Sequence, residues 1–185
     1  MRIIKFFFII CILIPFNNKV NSNESLIQSL KKSGNLIFIR HAYAPGNGDP
    51  QNFNISDCTT QRNLNNKGIE QSKKIGSFFK KNKIIIDKIL SSEWCRCKDT
   101  AGYAFKTYKT KKFLNSFYDQ KFVKNKEKQI IEINKYIKKL SKNKNIVFVT
   151  HYVVISELLN LNPSSGEIII TDKNLVLLGR IKIDY

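Results

Sequence analysis

The chain of 185 residues lacks the features that define repeat, membrane and nucleotide-binding proteins. It has no internal repeat, which favours a single domain. Its one long apolar run, residues 6–16, is shorter than the roughly 20 residues that a membrane-spanning helix needs. It has no P-loop, and the segment from Gly46 does not complete a G-x-G-x-x-G pattern, because position 51 is Gln. What remains is ordinary globular composition, with 42% hydrophobic and 25% charged residues.

Arginine is scarce although the chain is strongly basic. The 32 Lys and Arg residues oppose 14 Asp and Glu residues, which gives a formal net charge of +18. Only five of the basic residues are arginine, at positions 2, 40, 62, 96 and 180. Proteins that read DNA or RNA rely on arginine for bidentate contacts and stacking. The lysine runs at residues 106–112 and 121–128 are therefore interpreted as solvated faces, and no nucleic-acid partner is expected.

The N-terminus has the pattern of a secretory signal peptide. Residues 1–5 are basic, residues 6–16 are apolar, and polar residues with Val20 and Ser22 follow. We predict a signal peptide at residues 1–22 and a folded domain at residues 23–185, with an uncleaved N-terminal anchor as the alternative. The protein is then exported, periplasmic or secreted, with no stable membrane insertion after the signal is cleaved.

Cysteine is also scarce, and its pattern argues against a zinc site. Cys11 would leave with the signal peptide, so Cys58, Cys95 and Cys97 remain. In an oxidising compartment three cysteines permit one disulfide and one free thiol, and Cys58 can pair with Cys95 or with Cys97. A C-x-C pair without a second pair or a nearby histidine is a poor zinc ligand set. No metal is expected.

Short apolar runs that alternate with helical patterns predict an α/β protein. The predicted strands are residues 36–39, 84–90, 113–114 and 146–149, with a closing hairpin at 167–171 and 175–183. Helical patterns occupy residues 25–32, 93–108, 130–140 and 153–159, and another begins at Asn65 or Asn66. The predicted fold is a three-layer sandwich with a mostly parallel central sheet, helices on both faces and a C-terminal hairpin.

Both histidines of the chain directly follow predicted strands. Arg40 and His41 come after the first apolar run, and His151 comes just after residues 146–149. Arg96 follows the end of a third strand. Ligands of open α/β sheets bind at the carboxyl ends of the strands, so we expect these four side chains to share one crevice.

Two imidazoles and two guanidinium groups indicate a pocket for an oxyanion. Guanidinium groups bind phosphate through a planar fork of N–H donors. A neutral imidazole can attack phosphorus and hold the phosphoryl group covalently, while a second, protonated imidazole stabilises charge on the phosphoryl oxygens. A nearby carboxylic acid would protonate the leaving oxygen. The pattern predicts phosphoryl transfer from a small phosphorylated substrate without a metal or cofactor.

Four stretches of the chain carry a family resemblance. They are Arg40-His41-Ala42, where the family has Arg-His-Gly; Leu64 with Gly68 and Gln71; Ser92 with Arg96 and Thr100; and Thr150-His151. Together they resemble the histidine phosphatase superfamily, in its phosphoglycerate mutase-like branch. The resemblance runs from about Asn35 to the C-terminus.

The resemblance implies roles for the predicted site residues. His41 would be the phosphorylated nucleophile, and Arg40, Arg96 and His151 would hold the phosphoryl oxygens. Asn47, in the long loop after the first strand, is a further candidate for substrate contact.

The general acid departs from the family pattern. The mutase branch has a glutamate after a Leu-Asn pair, but the pair at positions 114–115 is followed here by Ser116. Asp119, the nearest acid, is the first candidate. Glu93, beside Arg96, is the second, and Asp49, in the long loop, is the third.

The sequence therefore predicts an exported, metal-independent phosphohydrolase that works through a phosphohistidine at His41. Three alternatives stay open, and the one least favoured by the scarce arginine is a lysine-rich protein that binds nucleic acid. A phosphoglycerate mutase-like phosphotransferase is disfavoured by the predicted export and the missing glutamate. A non-catalytic protein could use the same pocket to bind phosphate or another anion without turnover.

Overall fold

The computed structural model describes residues 22–185, which form one mixed sheet of six strands. The strands are β1 (Leu36–Arg40), β2 (Lys88–Ser91), β3 (Lys109–Thr110), β4 (Ile146–Thr150), β5 (Ile168–Thr171) and β6 (Leu177–Ile181). Their order across the sheet is β3-β2-β4-β1-β5-β6. The pairs β2–β3, β2–β4 and β1–β4 are parallel, whereas β5 is antiparallel to β1 and β6. The predicted mostly parallel sheet with a closing hairpin is confirmed.

The α-helices of residues 22–185 cover both faces of this sheet. They are α1 (Ser22–Lys31), α2 (Asn66–Lys81), α3 (Cys95–Phe105), α4 (Gln120–Val123), α5 (Lys126–Lys138) and α6 (Tyr152–Leu159). One core cluster joins α1, α2 and α3 to the sheet, and a second joins α5 and α6 to its other face. None of the helices in this part of the chain is both long and apolar enough to span a bilayer. The predicted signal peptide lies outside the described residues except for Ser22, where α1 begins.

Strand β1 shows why the central strands β1 and β4 are apolar up to their last residue. Leu36 and Phe38 are fully buried in the cluster with α5 and α6, and Ile37 and Ile39 are fully buried in the cluster with α1, α2 and α3. Successive side chains of a strand point to opposite faces, so a strand covered on both sides must be apolar throughout. The continuous apolar run is the direct consequence.

The prediction of a strand at residues 113–114 is wrong. Lys112–Leu114 form a turn of 3₁₀-helix, and the short strand β3 lies just before it, at Lys109–Thr110. Phe113 and Leu114 are both buried in the same core cluster. A strand would send two consecutive side chains to opposite faces, whereas a tight helical turn delivers both to one core.

Helix α2 begins where the sequence predicts and fixes the chain that follows β1. The Asn65 side chain accepts a hydrogen bond from the Gly68 amide at 3.1 Å, as an N-cap does. A Cβ atom at Gly68 would overlap the backbone carbonyl of Tyr43, so glycine permits this close approach. One turn later, Gln71 Oε1 accepts a hydrogen bond from the Tyr43 amide at 2.8 Å. The loop after His41 is thereby held against α2.

Candidate active site

The carboxyl ends of β1 and β4 bring the two histidines together. The strands are parallel neighbours, with Arg40 level with Thr150, and the His41 amide donates to the Thr150 carbonyl at 2.9 Å. The His41 and His151 rings lie edge to face, with their centroids 5.5 Å apart. The histidines lie in a cleft whose other lining residues are Arg40, Asn47, Gly48, Asp49, Arg62, Trp94, Arg96, Ser116, Tyr118, Asp119, Phe122, Tyr152 and Val153.

His41 is held in the tautomer that a nucleophile needs. Its Nδ1 lies 2.8 Å from the carbonyl oxygen of Ala42, which can only accept, so Nδ1 carries the proton and Nε2 keeps a free lone pair. The side chain is buried. Burial, followed by the charge of Arg96, holds the pKa of His41 well below its usual range. The ring is therefore a neutral imidazole at neutral pH.

His151 is oriented by a chain of hydrogen bonds. Arg96 Nη2 lies 3.4 Å from its Nδ1, and a guanidinium only donates, so the ring's proton is on Nε2. Nε2 lies 2.9 Å from Ser92 Oγ, and Ser92 donates in turn to Asn115 Oδ1 at 3.1 Å. Burial, and then the charge of Arg96, keep the pKa of His151 well below its usual range. Ser92 and Asn115 thus position a ring that faces the cleft.

Three arginines converge on this cleft. Arg40 and Arg96 were predicted, and each has a buried Nε that forms no hydrogen bond within residues 22–185. Arg62 was not predicted as a site residue. Its Nε donates to the Gly48 carbonyl at 2.8 Å and its Nη1 to the Ala44 carbonyl, and burial lowers its pKa to about 10. The sequence signal that could have identified Arg62 is that it is one of only five arginines and lies two residues before Leu64, where a family motif begins.

Asp49 lies directly against Arg96. Its Oδ1 is 2.8 Å from Arg96 Nη1 and its Oδ2 is 3.3 Å from Nη2, so the carboxylate occupies the guanidinium fork. The Trp94 indole donates to Oδ2 at 3.0 Å, and the Arg62 amide donates to Oδ1 at 3.0 Å. Burial acts to raise the pKa of Asp49, but Arg96 and these hydrogen bonds outweigh it, so the pKa lies below its usual value.

The structure separates the other two acid candidates. Asp119 lines the cleft, but its side chain is 42% exposed, caps α4 through the Lys121 amide and lies 3.8 Å from Lys121 Nζ. Glu93 lines an adjoining groove instead of the cleft, and it accepts a hydrogen bond from Asn115 Nδ2 at 2.7 Å. Asn47 lies in the cleft, at its exposed edge.

A disulfide anchors the loop that carries Asp49. Cys58 is bonded to Cys95, the first residue of α3, which settles the pairing that the sequence left open. The Cys95 amide also donates to Gln61 Oε1 at 2.9 Å. Within residues 22–185, Cys97 is the free thiol; it is buried, and burial raises its pKa to about 12. The long loop is thus fixed to the helix that supplies Arg96.

Trp94 connects the core to the site. It is buried, with its ring stacked on Phe53 at a centroid distance of 5.0 Å and edge-on to His151 at 5.3 Å.

Within residues 22–185, no group of three or more His, Cys, Asp or Glu side chains is arranged to hold a metal ion.

The fold is similar to those of several solved structures, among them two phosphatases. The protein histidine phosphatase SixA, complexed with tungstate, has 13% sequence identity and a TM-score of 0.57, over 80% of this chain and 96% of that chain. TTHB049 from Thermus thermophilus has 13% identity and a TM-score of 0.58, over 80% and 98%. A phosphoserine phosphatase mutant from Entamoeba histolytica, in complex with phosphoserine, has 21% identity and a TM-score of 0.52, over 74% and 89%. No protein-family model and no curated protein matches the sequence.

Proposed function

We propose that this chain, which has the fold of the histidine phosphatase superfamily, is an exported phosphohydrolase that cleaves phosphate monoesters through a phosphohistidine at His41. The observation that carries the proposal is the hydrogen bond from His41 Nδ1 to the Ala42 carbonyl, which leaves Nε2 as a free nucleophile. That nucleophile lies in a cleft lined by three arginines, where a phosphoryl group has its natural counter-charges.

The chemistry divides into two displacements. In the first, His41 Nε2 attacks phosphorus, the bond to the ester oxygen breaks, and the leaving alcohol takes a proton. In the second, water attacks the phosphohistidine, the P–N bond breaks, and inorganic phosphate is released. Splitting one displacement into two is the advantage of covalent catalysis.

The arginines and His151 are suited to the phosphoryl oxygens. The unpartnered Nε–H groups of Arg40 and Arg96 would gain acceptors from a bound phosphoryl group, since a buried donor without a partner is costly. His151 is neutral in the free cleft, and a bound dianion would favour its protonation. A protonated ring would then stabilise charge that develops in the transition state.

Two further observations support the proposal. SixA in complex with tungstate and the Entamoeba protein in complex with phosphoserine share this fold, and phosphoryl chemistry is common to both. The disulfide between Cys58 and Cys95 supports export, because disulfides persist in oxidising compartments and are rare in the cytosol.

The test is hydrolysis of p-nitrophenyl phosphate between pH 4 and pH 8 in the presence of a chelator, with His41→Ala beside the wild type. We expect chelator-resistant turnover in the wild type and none in the variant. Rapid quenching into alkali should trap a phosphohistidine in the wild type, because that bond is labile in acid.

Two outcomes would contradict the phosphohydrolase. Bound phosphate without turnover of any ester would favour the anion-binding protein. Conversion of 3-phosphoglycerate to its isomer without release of phosphate would favour the phosphotransferase.

A further inference from the structure

Arg96 cannot bind a phosphoryl group with its fork while Asp49 occupies it. Both Nη atoms of Arg96 face the Asp49 carboxylate, at 2.8 Å and 3.3 Å. The pair is shielded from solvent, with side-chain exposures of 4% for Arg96 and 11% for Asp49. A phosphoryl group that uses this fork must therefore share it with the carboxylate or displace the carboxylate.

We propose that Asp49 is the proton donor to the leaving group, and that the substrate itself prepares it by displacing its carboxylate from Arg96. This assignment rests on the proposed function, since it concerns the acid of the same reaction. It reverses the order of candidates drawn from the sequence, where Asp119 came first.

The exchange supplies the proton at the right time. Paired with Arg96, Asp49 is a carboxylate and has no proton to give. When the phosphoryl oxygens take over the Nη donors, the carboxylate loses its counter-charge and gains a negative neighbour. Both changes favour the protonated form of a carboxyl group.

Two anchors keep Asp49 in place after the exchange. Trp94 Nε1 donates to one carboxyl oxygen and the Arg62 amide donates to the other, each at 3.0 Å. Neither donor comes from Arg96. The carboxyl group can therefore lose the ion pair and still line the cleft that holds His41, where a general acid has to meet the leaving oxygen.

The proton balance closes over the whole cycle. Asp49 takes up one proton from solvent when the substrate displaces it from Arg96. In the first, the P–O bond breaks, and the leaving oxygen takes its proton from the Asp49 carboxylic acid, which becomes a carboxylate. In the second, that carboxylate accepts a proton from the water that attacks phosphohistidine. Asp49 is again protonated while phosphate is bound, and it gives up the proton when phosphate leaves and the pair with Arg96 re-forms.

The other carboxylates of the region are less suited to this role. Asp119 is 42% exposed, it accepts from the Lys121 amide, and its one ion-pair partner is the exposed Lys121 ammonium at 3.8 Å. Glu93 lines the adjoining groove. Asp49 alone among the three candidates combines a sheltered side chain with an ion pair to an arginine of the cleft.

The experiment compares two leaving groups. The kcat/KM values for O-phosphoserine, a poor leaving group, and p-nitrophenyl phosphate, a good one, are measured for the wild type, Asp49→Asn and Asp119→Asn. We expect Asp49→Asn to lose about 10²–10⁴-fold on phosphoserine, the usual contribution of a general acid, and far less on p-nitrophenyl phosphate. Asp49→Glu should recover part of the phosphoserine activity. Asp57→Asn, an exposed aspartate of the same loop, serves as the matched control and should keep the wild-type ratio.

A second readout needs no turnover. Asp49→Asn should bind inorganic phosphate more tightly than the wild type, because the competing carboxylate has gone, and a thermal melt checks that the variant is folded. Equal losses on both esters, weaker phosphate binding, or leaving-group dependence in Asp119→Asn would each overturn the assignment. If the wild type hydrolyses neither ester, the proposed function itself has failed.

Discussion

Removing the disulfide between Cys58 and Cys95 should cost both stability and activity. The bridge joins residues 37 positions apart, and the chain-entropy relation for a loop of that length gives about 4 kcal/mol of stabilisation. That is a large part of the roughly 5–15 kcal/mol that stabilises a typical domain. The disulfide also holds the loop that contains Asp49 and Gln61 against the start of α3. Its loss should therefore also lower kcat/KM for phosphate esters.

Urea unfolding with and without dithiothreitol, for the wild type and for Cys58→Ser/Cys95→Ser, measures this contribution. The reduced wild type and the double variant should show the same loss in the free energy of unfolding, and the double variant should not respond to reductant. Cys97 is buried with a raised pKa, so it should not form a substitute bridge. A loss below about 1 kcal/mol, or a response to reductant in the double variant, would refute the reasoning.

Two further predictions concern protonation and packing. Burial lowers the pKa of His41 and His151 well below their ordinary 6.5, so the unfolded chain binds protons more readily than the folded chain. The free energy of unfolding should therefore be at its full value above pH 6.5 and fall as the pH drops below 6.5. Urea unfolding midpoints at pH 7.5 and pH 5 check this. A Cβ atom at Gly68 would overlap the Tyr43 carbonyl, and one at Gly76 would overlap a backbone carbonyl at the end of α3. Each alanine variant should lose about 1–3 kcal/mol of stability. Only Gly68→Ala should also lower hydrolysis, because Tyr43 belongs to the loop after His41, the proposed nucleophile. Equal activity in the two variants would contradict this.

The core strands could be predicted because burial on both faces leaves a sequence signal. Strands β1 and β4 are continuous apolar runs up to their last residue, and the two histidines directly follow them. Strand β3 could not be predicted, since Lys109 and Thr110 are exposed and carry no apolar pattern. It forms only because β2 offers an edge with which to pair.

The same distinction applies to the site. His41, His151, Arg40 and Arg96 follow strand ends, so the topology of the sheet brings them into one cleft. Asp49 and Arg62 come from a loop without periodicity, and tertiary contacts set their places. Spacing along the chain favoured Asp119, whereas the path of the loop brings Asp49 against Arg96.

Trp94 allows the contributions of packing and chemistry to be separated. Its buried ring packs on Phe53, and its indole N–H donates to Asp49. Trp94→Phe should keep most of the aromatic packing and remove only that donor. We expect a loss of about 1–3 kcal/mol in stability, as for a hydrogen bond to a charged group and a smaller ring. If Asp49 donates the proton, hydrolysis of O-phosphoserine should fall more than that of p-nitrophenyl phosphate, because the anchor that holds the acid after exchange is gone. Equal losses on both esters would mean that Trp94 acts on the site through packing alone, and that the Arg62 amide is sufficient to hold Asp49 in place.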